Sequence, residues 1–242
     1  MTRTDPGRAE DAAPVRRHVR SFVRRAGRVT ERQQRALATL WPRYGVDLPA
    51  PPAAVAPGFW AEQFGREGPL TLEIGFGMGH SLLEMAEREP GRLFIGVEVH
   101  PPGIGALLAG IEERGLNNVR VLEADAVAVL DRAFAAGELD RVQIFFPDPW
   151  PKKRHHKRRI IQPAFLEQLA RRVAPAGRLM LATDWEPYAE WMREAIEAAP
   201  SWRNAGGPDG FVPGPAERPP TRFETRGERR GHRIRDLLAE RV

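Results

Sequence analysis

A chain of 242 residues, 42% of them apolar, can bury one sizeable α/β core, and one domain with an N-terminal extension is expected. It has no cysteine, which excludes a disulfide framework and thiolate metal sites; no apolar run approaches the ~20 residues of a membrane span, and the Arg-bearing start lacks a signal peptide's apolar core. The net charge of +5 is uneven: residues 1–35 carry ten arginines against four acids, residues 152–159 carry six Lys or Arg and no acid, and the remainder sums to −7.

An acidic body with two positive segments points to a polyanionic partner held at those segments, with a solvated surface as the plain alternative for either run. A soluble cytoplasmic protein that needs no membrane and no metal is expected, as monomer or homodimer. Residues 1–13 have a tail's composition. Over residues 15–28 basic residues surround Phe22 and Val23, which suits an arm that docks by its apolar pair and offers Arg24 and Arg25 to RNA phosphates. The alternative is a disordered basic tail that raises nonspecific affinity. Thr30 caps a predicted helix over 31–40, and the Pro/Ala run 49–57 reads as a stiff linker. Residues 1–57 are therefore expected to be a partly disordered arm and linker, and 58–242 the main domain.

A strand over 70–74 runs directly into Gly75-Phe76-Gly77-Met78-Gly79, followed by a helix over 80–88. Glycines at alternate positions allow a sharp turn and close approach of backbone to ligand, where a doubly wound sheet binds nucleotides. The dinucleotide fingerprint wants its third glycine at position 80, which is His80, so the turn favours an adenosyl ligand without a pyrophosphate. Strand two, 93–97, ends in Glu98, placed to accept from both ribose hydroxyls or to complement a helix dipole. A helix from Pro101 or Pro102 to 114 follows. After strand three, 119–122, Asp125 either accepts from an adenine amino group or caps the next helix, which reaches about 134.

Strand four, 142–146, leads into Pro147-Asp148-Pro149-Trp150, read as a stiff turn because proline fixes its own φ and drives its predecessor to extended geometry. Apolar Phe165, Leu169 and Val173 predict a helix over 162–173. Pro175-Ala176-Gly177 turns the chain into strand five, 179–182, which ends near Asp184; a helix to about 198, a Gly/Pro-rich loop over 206–220 and a last strand over 234–239 complete the chain. Glu73, Glu98, Asp125, Asp148 and Asp184 thus stand at the ends of five successive predicted strands, on the edge where open α/β sheets bind ligands. His155 and His156 are poor metal ligands if the segment is extended, since neighbours then point apart. Trp150 either stacks on a base or packs, and the other tryptophans are read as packing.

Six blocks resemble the bacterial tRNA (guanine-N7-)-methyltransferases: residues 21–25, 72–79, 96–100, 145–160, 182–188 and 221–232. The resemblance implies a class I methyltransferase fold, a three-layer Rossmann-like α/β arrangement with a seven-stranded, mostly parallel sheet and a reversed last strand. It implies S-adenosyl-L-methionine as cofactor, tRNA as partner, and N7 of the variable-loop guanine numbered 46 as target. Carried over by position, Glu73, Glu98, Asp125 and Asp148 bind cofactor together with the turn glycines Gly75, Gly77 and Gly79. Asp148 is the active-site residue, and Lys152, Asp184, Thr221, Arg222, Phe223 and Glu224 contact substrate. The chain departs from the family in Arg222, where lysine is usual, and in Arg230, where an apolar residue is common.

Lys152, Lys153, Arg154, Lys157, Arg158 and Arg159 are expected to meet phosphates. Guanine N7 has an unprotonated in-plane lone pair at neutral pH, so methyl transfer to it needs alignment and charge stabilisation and no general base. Asp148 is then a positioning anion for the guanine Watson–Crick edge, with Asp184 a second candidate. Other readings are a methyltransferase with a different target, a nicotinamide oxidoreductase and a noncatalytic RNA-binding module. The basic block disfavours the first, His80 the second, and the strand-end acids the third.

Overall fold

In a parallel sheet covered by helices on both faces the central strands are buried on both sides, and here even the polar Thr71, Glu73, Arg141 and Gln143 are buried. The computed structural model describes residues 21–22, 27–213, 218–219, 224, 231 and 233–242. Its strands are β1 (Leu70–Ile74), β2 (Leu93–Glu98), β3 (Val119–Glu123), β4 (Leu139–Phe145), β5 (Val173–Thr183), β6 (Trp202–Asn204) and β7 (Arg235–Arg241). They form one sheet of order β3-β2-β1-β4-β5-β7-β6, in which β1 to β5 pair in parallel and β7 is antiparallel to both β5 and β6. This is the expected α/β sheet with its last strand reversed.

The helices among the described residues are α1 (Glu31–Tyr44), α2 (Phe59–Phe64), α3 (His80–Arg88), α4 (Pro101–Arg114), α5 (Ala126–Ala133), α6 (Pro163–Ala170) and α7 (Glu186–Glu197). The two-residue period of β1 sends Leu70, Leu72 and Ile74 to the face packed by α5, α6 and α7, and Thr71 and Glu73 to the opposite face. That opposite face packs α1, α3 and α4 over Phe94, Val119 and Val121.

α1 begins at a capping box, Gln33 N donating to Thr30 Oγ1 while Thr30 N donates back to the Gln33 side chain. It runs beyond the predicted end, through Pro42, because Tyr44 is buried and donates its hydroxyl to Glu112 of α4. α1 lies against α4 where Gly105 exposes backbone: a Cβ there would stand 2.7 Å from Gln33 O. The Pro/Ala run is tied to α5, Val55 N donating to Arg132 O at 2.8 Å and Arg132 Nε to Ala53 O at 3.0 Å.

Three expectations change. The helix predicted over 162–173 stops at Ala170, because Val173 pairs with Leu139 and starts a strand. The Pro175-Ala176-Gly177 turn is an irregularity inside β5, where Leu139 faces Val173 but Arg141 already faces Arg178, and Ala176 takes φ 60°. α2 and β6 had no counterpart among the elements expected from sequence. Both are fastened by tryptophans: Trp60 stacks on Phe134 at 5.5 Å and donates to Ala133 O, while Trp202 donates to Leu166 O. The segments expected as a tail (1–13) and most of the basic arm lie outside the described residues.

Filling the α1–α4 contact should cost overpacking strain. Gly105→Val is expected to lower stability by about 1–3 kcal/mol, read as a shift of the urea midpoint at unchanged slope.

Candidate active site

Strand order reverses between β1 and β4: from β1 the chain moves outward through β2 and β3, then returns to place β4 and β5 on the other side. A crevice opens at the carboxyl ends of strands at such a point. The glycine turn lies there, with Gly75, Gly77 and Gly79 at φ 74°, 57° and 76°, a region costly for side chains with a Cβ. In front of Gly75 and Gly77 a Cβ would meet nothing within 4 Å, so the turn presents open backbone. Behind it the packing is tight: a Cβ on Gly79 would come within 2.7 Å of Leu107, and one on Gly103 within 2.1 Å of Gly77 O. The first two glycines face the crevice and the third seats the turn on α4.

Glu98 braces this turn. Its Oε2 accepts from Gly77 N at 3.1 Å, and its Oε1 accepts from Val99 N at 2.7 Å and His100 N at 3.3 Å. The carboxylate therefore complements the start of α4 and also borders a cavity of about 250 Å³. Asp125 borders it too, as the N-cap of α5, with Oδ1 accepting from Val127 N at 3.1 Å. Both readings of each acid are compatible with its position.

The fourth wall is the corner after β4. Phe146, expected to be extended because a proline follows, instead takes φ 51°, and Trp150 takes φ 46°. Two left-handed residues bracket Pro147-Asp148-Pro149 and turn Asp148 back over the cavity, which it lines. Phe146 N donates to Ala182 O at 2.8 Å, continuing the β4–β5 ladder to the bend. Ser21 and Phe22 close the remaining side, held where Trp150 Nε1 donates to Ser21 O at 3.2 Å.

Beyond the corner the basic run is a 3-10 helix over Lys153–Arg158, so the extended geometry assumed for His155 and His156 does not hold. His155 packs edge-on to Trp150, and His156 to Trp191, each at 5.8 Å. Partial desolvation and the neighbouring Arg154, Arg158, Lys152 and Lys157 push the His155 imidazole below its ordinary pKa. No group of three or more His, Cys, Asp or Glu suited to a metal occurs among the described residues. Lys152, Lys153, Arg154 and Lys157 are exposed, and Arg158 lies over the Trp150 ring at 4.8 Å. Arg159 is withdrawn from this face. It is 3% exposed, sits over the rings of Tyr188 and Trp191 at 4.9 and 5.1 Å, and donates Nε to Pro149 O at 3.0 Å, pinning the corner from below.

Not every strand-end acid reaches the cavity. Glu73 lies within β1 on the α3 face, 3% exposed, its Oε2 accepting from Gln143 Nε2 at 2.6 Å. Burial raises its pKa to about 7, against opposing contributions from Gln143 and Arg141. Asp184 is half-buried one residue past β5 and does not line the cavity. Glu224 is buried against Arg218, a residue that nothing in the Gly/Pro-rich loop singled out. Thr221, Arg222, Phe223, Arg230, Arg24 and Arg25 lie outside the described residues. A larger cavity of about 690 Å³ lies between α1 and the end of β3, where the Trp41 indole donates to Asp47, and Arg132 to the carbonyls of Pro49 and Ala53.

A family described as putative methyltransferase matches residues 67–237. A protein of Stutzerimonas stutzeri (strain A1501) named tRNA (guanine-N(7)-)-methyltransferase is 53% identical over 244 residues, covering 100% of both chains. Proteins of the same name from Halorhodospira halophila and Pseudomonas aeruginosa are 54% and 55% identical, covering 92% and 96% of this chain and 94% and 93% of theirs. Among solved structures, the 16S rRNA methyltransferase KamB superposes with a TM-score of 0.55 at 15% identity, over 77% of this chain and 94% of its own. A variant of a 16S rRNA (adenine(1408)-N(1))-methyltransferase from Catenulisporales acidiphilia gives 0.52 at 16%, over 78% and 92%. At those identities the two structures speak for the fold.

Glu73 offers a direct test of buried charge. An acid whose folded pKa is raised from 4.5 to about 7 imposes no penalty below the lower value and its full penalty above the higher one. Glu73→Gln should therefore gain thermal stability over the parent as pH rises from about 5 to about 8, by at most on the order of 3 kcal/mol.

Proposed function

Because the chain belongs to the tRNA (guanine-N7-)-methyltransferase family, we propose that it transfers a methyl group from S-adenosyl-L-methionine to N7 of guanine 46 in the tRNA variable loop. The observation that carries this reading is the corner after β4: it puts Asp148 on the cavity walled by Gly75, Gly77, Glu98 and Asp125, and the exposed basic helix begins five residues later.

The residues present suit an adenosyl ligand. Open backbone at Gly75 and Gly77 leaves room for it, and Glu98, with lone pairs to spare, is assigned to the ribose hydroxyls. Asp125 keeps Oδ2 for the adenine amino group while Oδ1 caps α5. Gly79 serves by packing, and Glu73 by supporting β1 behind the turn. When bound, S-adenosyl-L-methionine supplies a methyl group activated on a sulfonium.

The acceptor side belongs to Asp148. N7 needs no deprotonation, so the carboxylate works as an acceptor for the guanine N1–H and amino group and orients the ring. Such alignment can be worth up to ~7–11 kcal/mol of barrier. The same anion stabilises the positive charge that reaches the purine. Asp184 is the second candidate for that edge. Thr221, Arg222 and Phe223 are assigned to substrate contact by family position, as are Arg24 and Arg25 to the RNA backbone, and Glu224, buried against Arg218, to the support of the same side. Lys152, Lys153, Arg154, Lys157 and Arg158 hold phosphates; Arg159, buried, holds the corner that presents them. Reaching a variable-loop N7 requires loosening the tertiary pairing of that base, at a cost of ~a few kcal/mol. No helix among the described residues is long and apolar enough to cross a membrane, and we place the enzyme in the cytoplasm with its tRNA.

The decisive experiment is incubation with unmodified tRNA and methyl-labelled cofactor, then nuclease digestion. Label is expected in 7-methylguanosine at position 46, and label on another atom or nucleotide would overturn the assignment. Asp148→Asn should lower kcat by about 10²-fold, and an undiminished rate with normal cofactor binding would remove Asp148 from its role. Replacing Lys152, Lys153, Arg154 and Lys157 together by alanine should weaken tRNA binding and flatten the plot of log affinity against log salt, by about 0.7–0.9 for each phosphate that is no longer neutralised.

A further inference from the structure

Arg218 is 2% exposed and joins three parts of the chain. Nε and Nη2 donate to the two carboxylate oxygens of Asp236 in β7 at 2.6 and 3.0 Å. Nη1 donates to Glu224 at 2.6 Å, and the guanidinium stands 5.5 and 5.6 Å from the ring centroids of Phe145 and Phe146. Glu224 and Asp236 are themselves 4% and 7% exposed.

Asp236, held bidentately, takes two arms of the Arg218 fork, and Glu224 takes the third. The surroundings of the cluster point to a further role. Glu224 is fixed by Arg218, and the same guanidinium faces Phe146, whose φ of 51° in front of a proline is a conformation that surrounding structure must maintain. Two residues after Phe146 comes Asp148.

We infer that Arg218 is a positioning residue for methyl transfer. It holds Phe146 in the bend that aims Asp148 at the cavity and holds Glu224 at a set distance from that bend, and Glu224 acts through Arg218 without touching the guanine. The inference rests on the methyl-transfer reading above.

Arg218→Lys keeps a cation for Asp236 but loses the fork, and Glu224→Gln leaves the Arg218–Asp236 pair whole, so the fold is retained in at least the second. Each variant and the double variant are assayed for kcat at saturating tRNA, for KM of tRNA and for calorimetric affinity toward S-adenosyl-L-methionine. Expected are kcat losses of about 10-fold for Arg218→Lys and about 5-fold for Glu224→Gln. Cofactor affinity and KM should stay within about 2-fold, and the double variant should be no slower than Arg218→Lys alone, since one unit is disrupted only once. Losses that multiply would make Glu224 an independent substrate contact. Parental kcat in Glu224→Gln, or cofactor affinity that falls in step with kcat, would reduce the cluster to a structural one. A parent enzyme that labels no guanine N7 would instead overturn the reaction itself.

Discussion

A phenylalanine held in left-handed geometry directly before a proline is the constraint around which this site is arranged. That conformation costs about 1–2 kcal/mol for a residue with a Cβ and runs against the extended preference of a pre-proline position. The last β4–β5 hydrogen bond, from Phe146 N to Ala182 O, holds it from one side, and Arg218 stands against its ring on the other. Arg159 grips the carbonyl of Pro149 from below, and Trp150 repeats the left-handed turn at the far end. The acid between the prolines thereby keeps its place on the cavity wall without forming part of any helix or strand.

Charge is sorted by the same framework. The parallel sheet buries Glu73 against Gln143, where ionisation is penalised, and Arg159 against two aromatic faces. Glu98 accepts from three backbone N–H groups and remains at the cavity. The exposed cations of the 3-10 helix stand just past the corner, so the surface that would draw a polyanion adjoins the crevice that would hold a nucleoside. Methyl transfer to a nitrogen that already offers its lone pair asks little more of a protein than this fixed juxtaposition.

Local pattern carried much of this in advance. The glycine turn, Glu98 at the end of strand two and the Asp125 cap are short-range features, set by φ preference, capping chemistry and two-residue alternation, and each lies where the spacing put it, whereas the corner at Pro147 bends against the local preference of Phe146. What failed to show was tied to distant partners. α2 and β6 are too short to have a period and exist because Trp60 and Trp202 find acceptors about 73 and 36 residues away. Val173, at a helical spacing from Phe165 and Leu169, joined a strand because Leu139 was there to pair with it.

The chain by itself determined the strand-turn-helix order, the residues that line the crevice at the glycine turn, and the concentration of positive charge beside an acid locked between prolines. These depend on neighbours within a few positions, where covalent geometry and local hydrogen bonding decide. Tertiary structure alone decided which charges face outward. Arg158 and Arg159 are adjacent in one basic run, yet one lies half-buried over Trp150 and the other is sealed beneath the corner. Glu73 and Glu98 both belong to strands at one sheet edge, yet only the second reaches the cavity. A side chain's burial depends on which remote element packs over it, and that information is absent from the spacing of residues along a strand.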